Sequence, residues 1–430
     1  MWRRGIRWGF DREKLSPIAK EANMKMVLFE DTSNPSIYLD INQAQLIISA
    51  LHKIGRSESI NLMRNIHQNE LKNYGESILL KFVNQGFSNT VVLRLHTGNQ
   101  RGDSIKTNMK SIIKIGRFDD VNLEHKNYKE NLDPTTSSYV PRMIYFSEIL
   151  KRWAAILYED LGEIDTFQEI YINGESEELL LESIKNIFGK MEENWYKNAT
   201  LESTNLYSDQ FNLIQSVAKY QNAIKSIIPD EFNKENIELR IGEEKIRLKN
   251  PIHFLLNKQD SRKKITHLSI VHGDCHGGNI VLNKNNKSVF LVDFANMSNT
   301  GHIFKDYVKL ESNILYRLYD YDKSKKLSKS LEHWLNLVAF SLGYKVPKPV
   351  RDEDRKAWAC ICELRSRARK MKIDYFSSDE WMDEYLVGVL HWTLSSIYWT
   401  DIFNSKKHLA FYSAAMICHA IENNYEILSE

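Results

Sequence analysis

The rhythm of apolar and polar positions changes twice along this 430-residue chain. SIYLDINQAQLIISALHKIGRSESINLMRNIHQNELKN (36–73) reads as a short strand and then two helices, with Leu46, Ile47, Ala50 and Leu51 at helical spacing. Near Tyr74 the period shortens. ILLKFVNQGFSNTVVLRLHT alternates, is rich in β-branched and aromatic residues, and turns at Gly86, the pattern of a hairpin. NMKSIIKIGRF (108–118) predicts a third strand, NLEHKNYKENL (122–132) a helix, and YVPRMIYFSEILKRWAAILYEDLG (139–162) two more strands. Together these predict a five-stranded antiparallel sheet with one inserted helix. After Gly162 the period becomes helical. ESEELLLESIKNIFGKMEENWYKN and SDQFNLIQSVAKYQNAIKSIIPDEF carry apolar residues every three or four positions, and IELRIGEEKIRLKNPIHFLL reads as a small hairpin before a helix. VHGDCHGGNIVLNKNNKSVFLVDFANMS (271–298) predicts two short strands around a polar turn at 283–287; the remainder, including DRKAWACICELRSRARKM and EWMDEYLVGVLHWTLSSIYWTDIF, predicts helices. The fold class expected is α+β, in three parts: an extension of open role over 1–70, a sheet-rich part over 71–160 and a mainly helical part over 161–430.

Composition narrows the function classes. At 42% hydrophobic and 27% charged the chain reads as a soluble globular protein long enough for two or three domains. A net charge of +2 provides no global electrostatic case for nucleic acid or an anionic membrane. Cys275, Cys360, Cys362 and Cys418 form no CxxC pair, so reduced thiols and a cytoplasmic location are expected. MWRRGIRWGFDREK is basic and aromatic but is followed by no apolar h-region, and it reads as a solvated tail rather than a signal peptide. The longest apolar runs are interrupted by His391 and His419, so no membrane partner is expected.

The densest chemistry lies in 271–298. Phosphoryl transfer needs a carboxylate to orient or deprotonate the attacking hydroxyl and oxygen ligands to hold magnesium against the nucleotide phosphates. Asp274 followed five positions later by Asn279 reproduces the kinase catalytic-loop spacing of base and metal ligand, and Asp293 emerges after the apolar strand VFLV, where a second ligand belongs. His272, Asp274, Cys275 and His276 could also be drawn as a zinc site, but neighbours on an extended loop cannot all converge on one tetrahedral centre. Gly273, Gly277 and Gly278 suit tight turns and close phosphate approach.

HGDCHGGN with the downstream VDF resembles the signature of the aminoglycoside and choline phosphotransferases, which share the protein-kinase-like fold. More narrowly, GFSNTVV, SIIKIG, HGDCHGGNI, LVDFA, FKDYVKLES and AWACICELRSRAR resemble the ternary complex associated domain 9 family of bacterial conflict and defence systems. The resemblance spans about residues 75 to 425. It implies a two-lobed fold with a small antiparallel N-lobe and a large helical C-lobe, using ATP and magnesium. In its terms Asp274 is the catalytic base, Asn279 and Asp293 are the magnesium ligands, and His272 is a brace. His276 stands where protein kinases carry a lysine; it either contacts the transferred phosphate or orders the loop. Lys114 is the lysine of the α- and β-phosphates, with Glu124 as its ion-pair partner and Glu130 as the alternative. Gly86, Phe87 and Ser88 belong to the loop over the phosphates, which has one glycine where protein kinases have three. Tyr158, Glu159 and Asp160 form the hinge that offers backbone groups to adenine, and Asp306 holds the catalytic loop from below or begins a helix.

The implied partners are a nucleotide and an unidentified hydroxyl acceptor, with 1–70 as a candidate surface for a protein partner. A regulatory pseudokinase and a nucleotidyl transferase are the alternatives. Two segments are candidates for acceptor selectivity: the acidic region around Glu175–Glu182 and Glu192–Asn194, and the helices from Trp358 to Trp399. The run RSRARKMK (365–372) would form a basic face, either solvated or binding an anionic acceptor, and a macromolecular or nucleotide acceptor is slightly favoured over an antibiotic.

Overall fold

The computed structural model describes residues 25–28, 77–85, 90–101, 104–132, 138–150, 153–174, 176–241, 244–259, 261–319, 327–344, 346, 348, 351–399 and 402–423. The chain is α+β, a sheet-rich part followed by a mainly helical one, and it divides into two compact units. The first is residues 1–162 together with Asp293–Ala295; the second is residues 163–292 and 296–430.

The first unit is built on one six-stranded sheet. Strands β1 (Lys25–Leu28), β2 (Ser77–Gln85), β3 (Val91–Arg101), β4 (Ser104–Arg117), β5 (Met143–Leu150) and β6 (Trp153–Glu159) lie in the order β1-β2-β3-β4-β6-β5. The five strands from β2 onward pair antiparallel, as the alternation predicts. The five-strand expectation is corrected by β1, which adds a sixth strand parallel to β2. β4 lies between β3 and β6, with Lys114 opposite Val92 on one side and Ile156 on the other. Helix α1 (Phe118–Asn131) follows β4 directly, and its buried residues Val121, Glu124 and Tyr128 fall at i, i+3 and i+7, one face of a helix. Gly116 permits this sharp exit, since a Cβ there would stand 2.6 Å from Cγ2 of Thr90. The strand and two helices read at 36–73 lie outside the described residues.

The second unit holds two small sheets; of their strands, the two short ones read on either side of the turn at 283–287 are present, and the others are not announced by the helix-period pattern. β8 (Thr200–Thr204), β11 (Lys264–Val271) and β14 (Ser298–His302) form one, in the order β14-β11-β8; β7 (Ile164–Thr166), β12 (Ile280–Asn283) and β13 (Val289–Leu291) form the other, in the order β13-β12-β7. A hairpin of β9 (Asn236–Ile241) and β10 (Glu244–Lys249) precedes a short helix, as read. The helices that matter most to the site are α2 (Glu177–Asn194), α3 (Lys305–Asn313), α4 (Asp352–Phe376) and α5 (Met382–Ser396). α2 buries Leu180, Ile184, Ile187, Phe188 and Met191, each worth about 1.5–3 kcal/mol when removed from water. The helix expected to begin at Ser208 starts only at Val217, after a single π-helical turn over Leu206–Gln210.

α3 is unusual. Every residue from Asp306 to Asn313 is buried, including Asp306, Lys309, Glu311 and Asn313. Buried polar groups persist when they are partnered. Asp306, Lys309 and Asn313 recur at i, i+3 and i+7 on one side of the helix, and all three bond to the 272–279 loop.

Candidate active site

In the first unit Lys114 is almost sealed. Its Nζ stands 2.6 Å from Oε2 of Glu124 and 2.9 Å from Oδ1 of Asp293. Burial works against the charged amine, but the Glu124 and Asp293 carboxylates outweigh it and hold the Lys114 pKa above its ordinary value. Glu124 also accepts a 2.8 Å bond from the Tyr158 hydroxyl. Glu124 is therefore the partner of Lys114. Glu130, the alternative, faces Lys126 at 3.9 Å with both side chains more than half exposed. Asp293 has φ of +71°, a left-handed conformation that costs a non-glycine residue energy unless its surroundings hold it. Asn127 supplies part of that hold by donating to the carbonyls of Phe294, at 3.2 Å, and Ala295, at 2.9 Å. The Asp293 side chain keeps 38% of its surface open.

Of the residues expected at the hinge, Tyr158 braces Glu124, Glu159 accepts from the Arg142 backbone N–H, and Asp160 pairs with Arg94 at 3.2 Å. The Glu159 backbone N–H is itself bonded to Arg142 O at 3.0 Å. Gly86, Phe87 and Ser88 lie outside the described residues.

In the second unit the chain leaves β11 at Val271 and bends through the loop. Gly273 has φ of +81°, and a Cβ there would meet the Asn296 carbonyl oxygen at 2.1 Å, so only glycine fits. Asp306, fully buried, accepts from the backbone N–H groups of His272 and Gly273, both at 2.8 Å, and from the Tyr196 hydroxyl at 2.9 Å. It therefore holds the loop through two backbone donors. Asn313 Oδ1 accepts from Gly277 N at 2.9 Å. His272 sets its Nε2 3.1 Å from Val292 O, bracing the loop against the residue before Asp293. Asn279 donates its amide N–H to Asp274 O at 3.0 Å, so of its side-chain atoms the amide oxygen is the one that could serve as a ligand.

The Asp274 side chain is 28% exposed, and its Oδ1 lies 2.7 Å from Nζ of Lys309. Burial would raise its pKa, but Lys309, with smaller help from His276, holds it below the ordinary carboxylate range. His276 accepts from Gly278 N through Nδ1 at 3.0 Å, and its Nε2 is 3.8 Å from Asp274 Oδ2. Burial, only partly offset by Asp274 and reinforced by Lys309 and Arg317, pushes His276 down to about 4, so near neutral pH it is an uncharged ring. Of the two roles open to His276, ordering the loop has direct geometric support. Lys309 was not singled out by the sequence reading, although it lies inside the quoted FKDYVKLES; its alternation with apolar neighbours on a buried helix was the available signal.

Cys275 is buried, and burial raises its thiol pKa well above the ordinary value. An amide oxygen and a carboxylate are the kind of hard-oxygen donors that magnesium takes; Asn279 belongs to the second unit and Asp293 to the first. Among the described residues no group of three or more His, Cys, Asp or Glu is placed to hold a metal ion.

The expected basic face over 365–372 is corrected. Arg365 is buried and forks onto Glu311, at 2.5 Å and 3.1 Å, while also donating to Ser341 O. Arg367 forks onto Glu192 at 2.7 and 3.0 Å, Arg369 onto Asp379 at 2.9 and 3.0 Å, and buried Lys372 meets Glu384 at 3.0 Å. Arg365 and Lys372 are thus paired in the interior, while Arg369 and Asp379 pair at the surface. Glu192, counted among the acidic acceptor candidates, is tied to Arg367 and accepts from the Tyr307 hydroxyl at 2.7 Å. Trp381 and Tyr385 are core residues.

Residues 215–396 match the family model described as Ternary complex associated domain 9. No curated protein matches the chain. Solved structures similar to it include a thermostable mutant of an aminoglycoside phosphotransferase in its apo form, at 10% identity and TM-score 0.44, covering 79% of this chain and 94% of that one. An ethanolamine kinase from Plasmodium vivax is similar at 12% identity and TM-score 0.38, over 97% of each chain. An amicoumacin kinase solved with AMP-PNP, calcium and amicoumacin is similar at 12% identity and TM-score 0.35, over 88% of this chain and 97% of that one. Among the described residues no helix is long and apolar enough to cross a membrane.

Proposed function

We propose that this protein is a phosphotransferase that moves the γ-phosphoryl group of ATP to the hydroxyl of an acceptor. The observation that carries this reading is the ion-pair triad of Lys114, Glu124 and Asp293. It joins residues 179 positions apart in sequence, and Lys114 and Asp293 stand in separate motifs, SIIKIG and LVDFA. Lys114 binds the α- and β-phosphates, and Glu124, itself held by Tyr158, keeps the amine extended toward them. Asp293 and Asn279 would hold magnesium, which would neutralise charge on the phosphate oxygens. Asp274 orients the acceptor hydroxyl and takes its proton. A new O–P bond forms as the bond between the γ-phosphorus and its bridging oxygen breaks, and that electron pair leaves with ADP. The loop that carries Asp274 is pre-set by Asp306, Asn313 and His272, so the base needs little reorganisation.

The arginine run at 365–369 gives little support to a phosphate-bearing acceptor, because Arg365, Arg367 and Arg369 are each engaged by a carboxylate of this chain. The test is Asp274→Asn in the full chain. Magnesium-dependent ATP binding by calorimetry should persist while label transfer from γ-labelled ATP to a fraction of a cell extract disappears. Equal loss of binding and transfer would make Asp274 a structural residue. Cellular function that survives the substitution would favour a nucleotide-binding regulator instead.

A further inference from the structure

We propose that Lys309 is a positioning residue for the phosphoryl transfer: it fixes one oxygen of Asp274 so that the other alone meets the acceptor hydroxyl. This inference rests on the phosphotransferase reading above. A carboxylate on a loop can rotate about its last bond and present either oxygen, which blurs the geometry that a base needs. Here Oδ1 is committed to Nζ of Lys309 at 2.7 Å, while Oδ2 has His276 Nε2 at the longer distance of 3.8 Å. The two members of the pair differ in access: Lys309 has 9% of its side-chain surface exposed and Asp274 has 28%. The amine is the sealed end and the carboxylate the open one.

Lys309 is itself held from the far side. Its Nζ lies 3.5 Å from the Trp392 ring centroid and 5.6 Å from that of Trp399, so a cation–π seat steadies the charge while Asp274 receives it. It projects from the same face of α3 as Asp306 and Asn313, one turn from the residue that pins the backbone of His272 and Gly273. One rigid helix thus sets the backbone of the loop through Asp306 and the carboxylate of the loop through Lys309. His276, an uncharged ring bonded to Gly278, leaves this task to the lysine.

The experiment uses the full chain and its magnesium-dependent ATP hydrolysis, with water standing in for the acceptor. Lys309→Met keeps the length and apolar stem but removes the charge, and Lys309→Arg keeps the charge. Lys372→Met serves as a comparator, because Lys372 is another buried, ion-paired lysine lying outside the site. All rates are divided by the folded fraction, measured by circular dichroism. Lys309→Met should bind ATP within about twofold of wild type yet turn it over about 100-fold more slowly, the scale of a misplaced catalytic group. Lys309→Arg should recover most of that loss, and Lys372→Met should keep its turnover per folded molecule. The proposal is overturned if Lys309→Met turns over within about threefold of wild type, or if its loss per folded molecule equals that of Lys372→Met. A wild-type chain that binds ATP but passes its γ-phosphate neither to water nor to any fraction of a cell extract removes the phosphotransferase reading and this inference together. Active wild type with active Lys309→Met removes the inference alone.

Discussion

Replacing Asp306 tests whether α3 builds the loop or merely lies beneath it. The carboxylate has no exposed surface, and it accepts three bonds: His272 N and Tyr196 Oη to Oδ2, and Gly273 N to Oδ1. Hydrogen bonds to a charged group contribute about 1.5–3 kcal/mol each, and a buried donor left without a partner costs about 1–3 kcal/mol. Asp306→Asn can keep its oxygen at the Oδ2 position and retain two bonds. Its amide then faces the Gly273 N–H, donor against donor, so about 3 kcal/mol should be lost. Asp306→Ala forfeits all three bonds and leaves two backbone donors unpaired. Allowing for non-additivity and for the removed cost of burying a charge, about 4–6 kcal/mol should go. Guanidinium unfolding of the full chain measures both losses. The functional consequence is separate: with Gly273 released, Asp274 shifts, and turnover per folded molecule should fall about 100-fold in Asp306→Asn. A loss below about 1 kcal/mol in Asp306→Ala would refute the account of three bonds. A normal rate per folded molecule in Asp306→Asn would return Asp306 to the role of a helix-start carboxylate.

Two further outcomes follow from the buried charges. Arg365→Met strands Glu311 in the core with the Tyr385 hydroxyl, at 2.6 Å, among its remaining donors, and should cost about 3–5 kcal/mol in urea unfolding. Adding Glu311→Gln should then restore part of the loss, and a cost below about 1 kcal/mol would mean that the arginine is surface after all. His391, pushed down to about 3 by burial and then by Lys305 and Lys309, stays neutral in the folded chain while the unfolded chain takes up a proton near its ordinary pKa of about 6.5. In that window the unfolded state binds more protons, so stability falls as the pH drops from about 6.5 toward 3, and His391→Gln should flatten the fall by one proton's share of the slope. Urea midpoints taken across this range would refute the assignment if the two chains ran parallel.

Periodicity made most of the sheet legible, because each strand from β2 to β6 carries its own alternation of apolar and polar residues, and the strand lysine and helix glutamate stand out against it. The spacing of Asp274, Asn279 and Asp293 was legible for a similar reason: all three fall within one short stretch of sequence, a loop and the strand after it. β7, β8 and β14 were not legible. They are three to five residues long, and what makes them strands is the partner across the ladder, which no local window contains. The charges of α3 and α4 make the contrast sharpest. A run of arginines has the same composition whether it faces water or forks onto Glu311, Glu192 and Asp379, and a lysine within a helix reads the same whether it is solvated or set 2.7 Å from Asp274. The one-dimensional pattern nominated the residues proposed to carry the chemistry. The packing of one helix against a loop 27 to 41 positions away in sequence settled how they are held, because the energy of a buried charge depends on the partner that the tertiary fold brings to it.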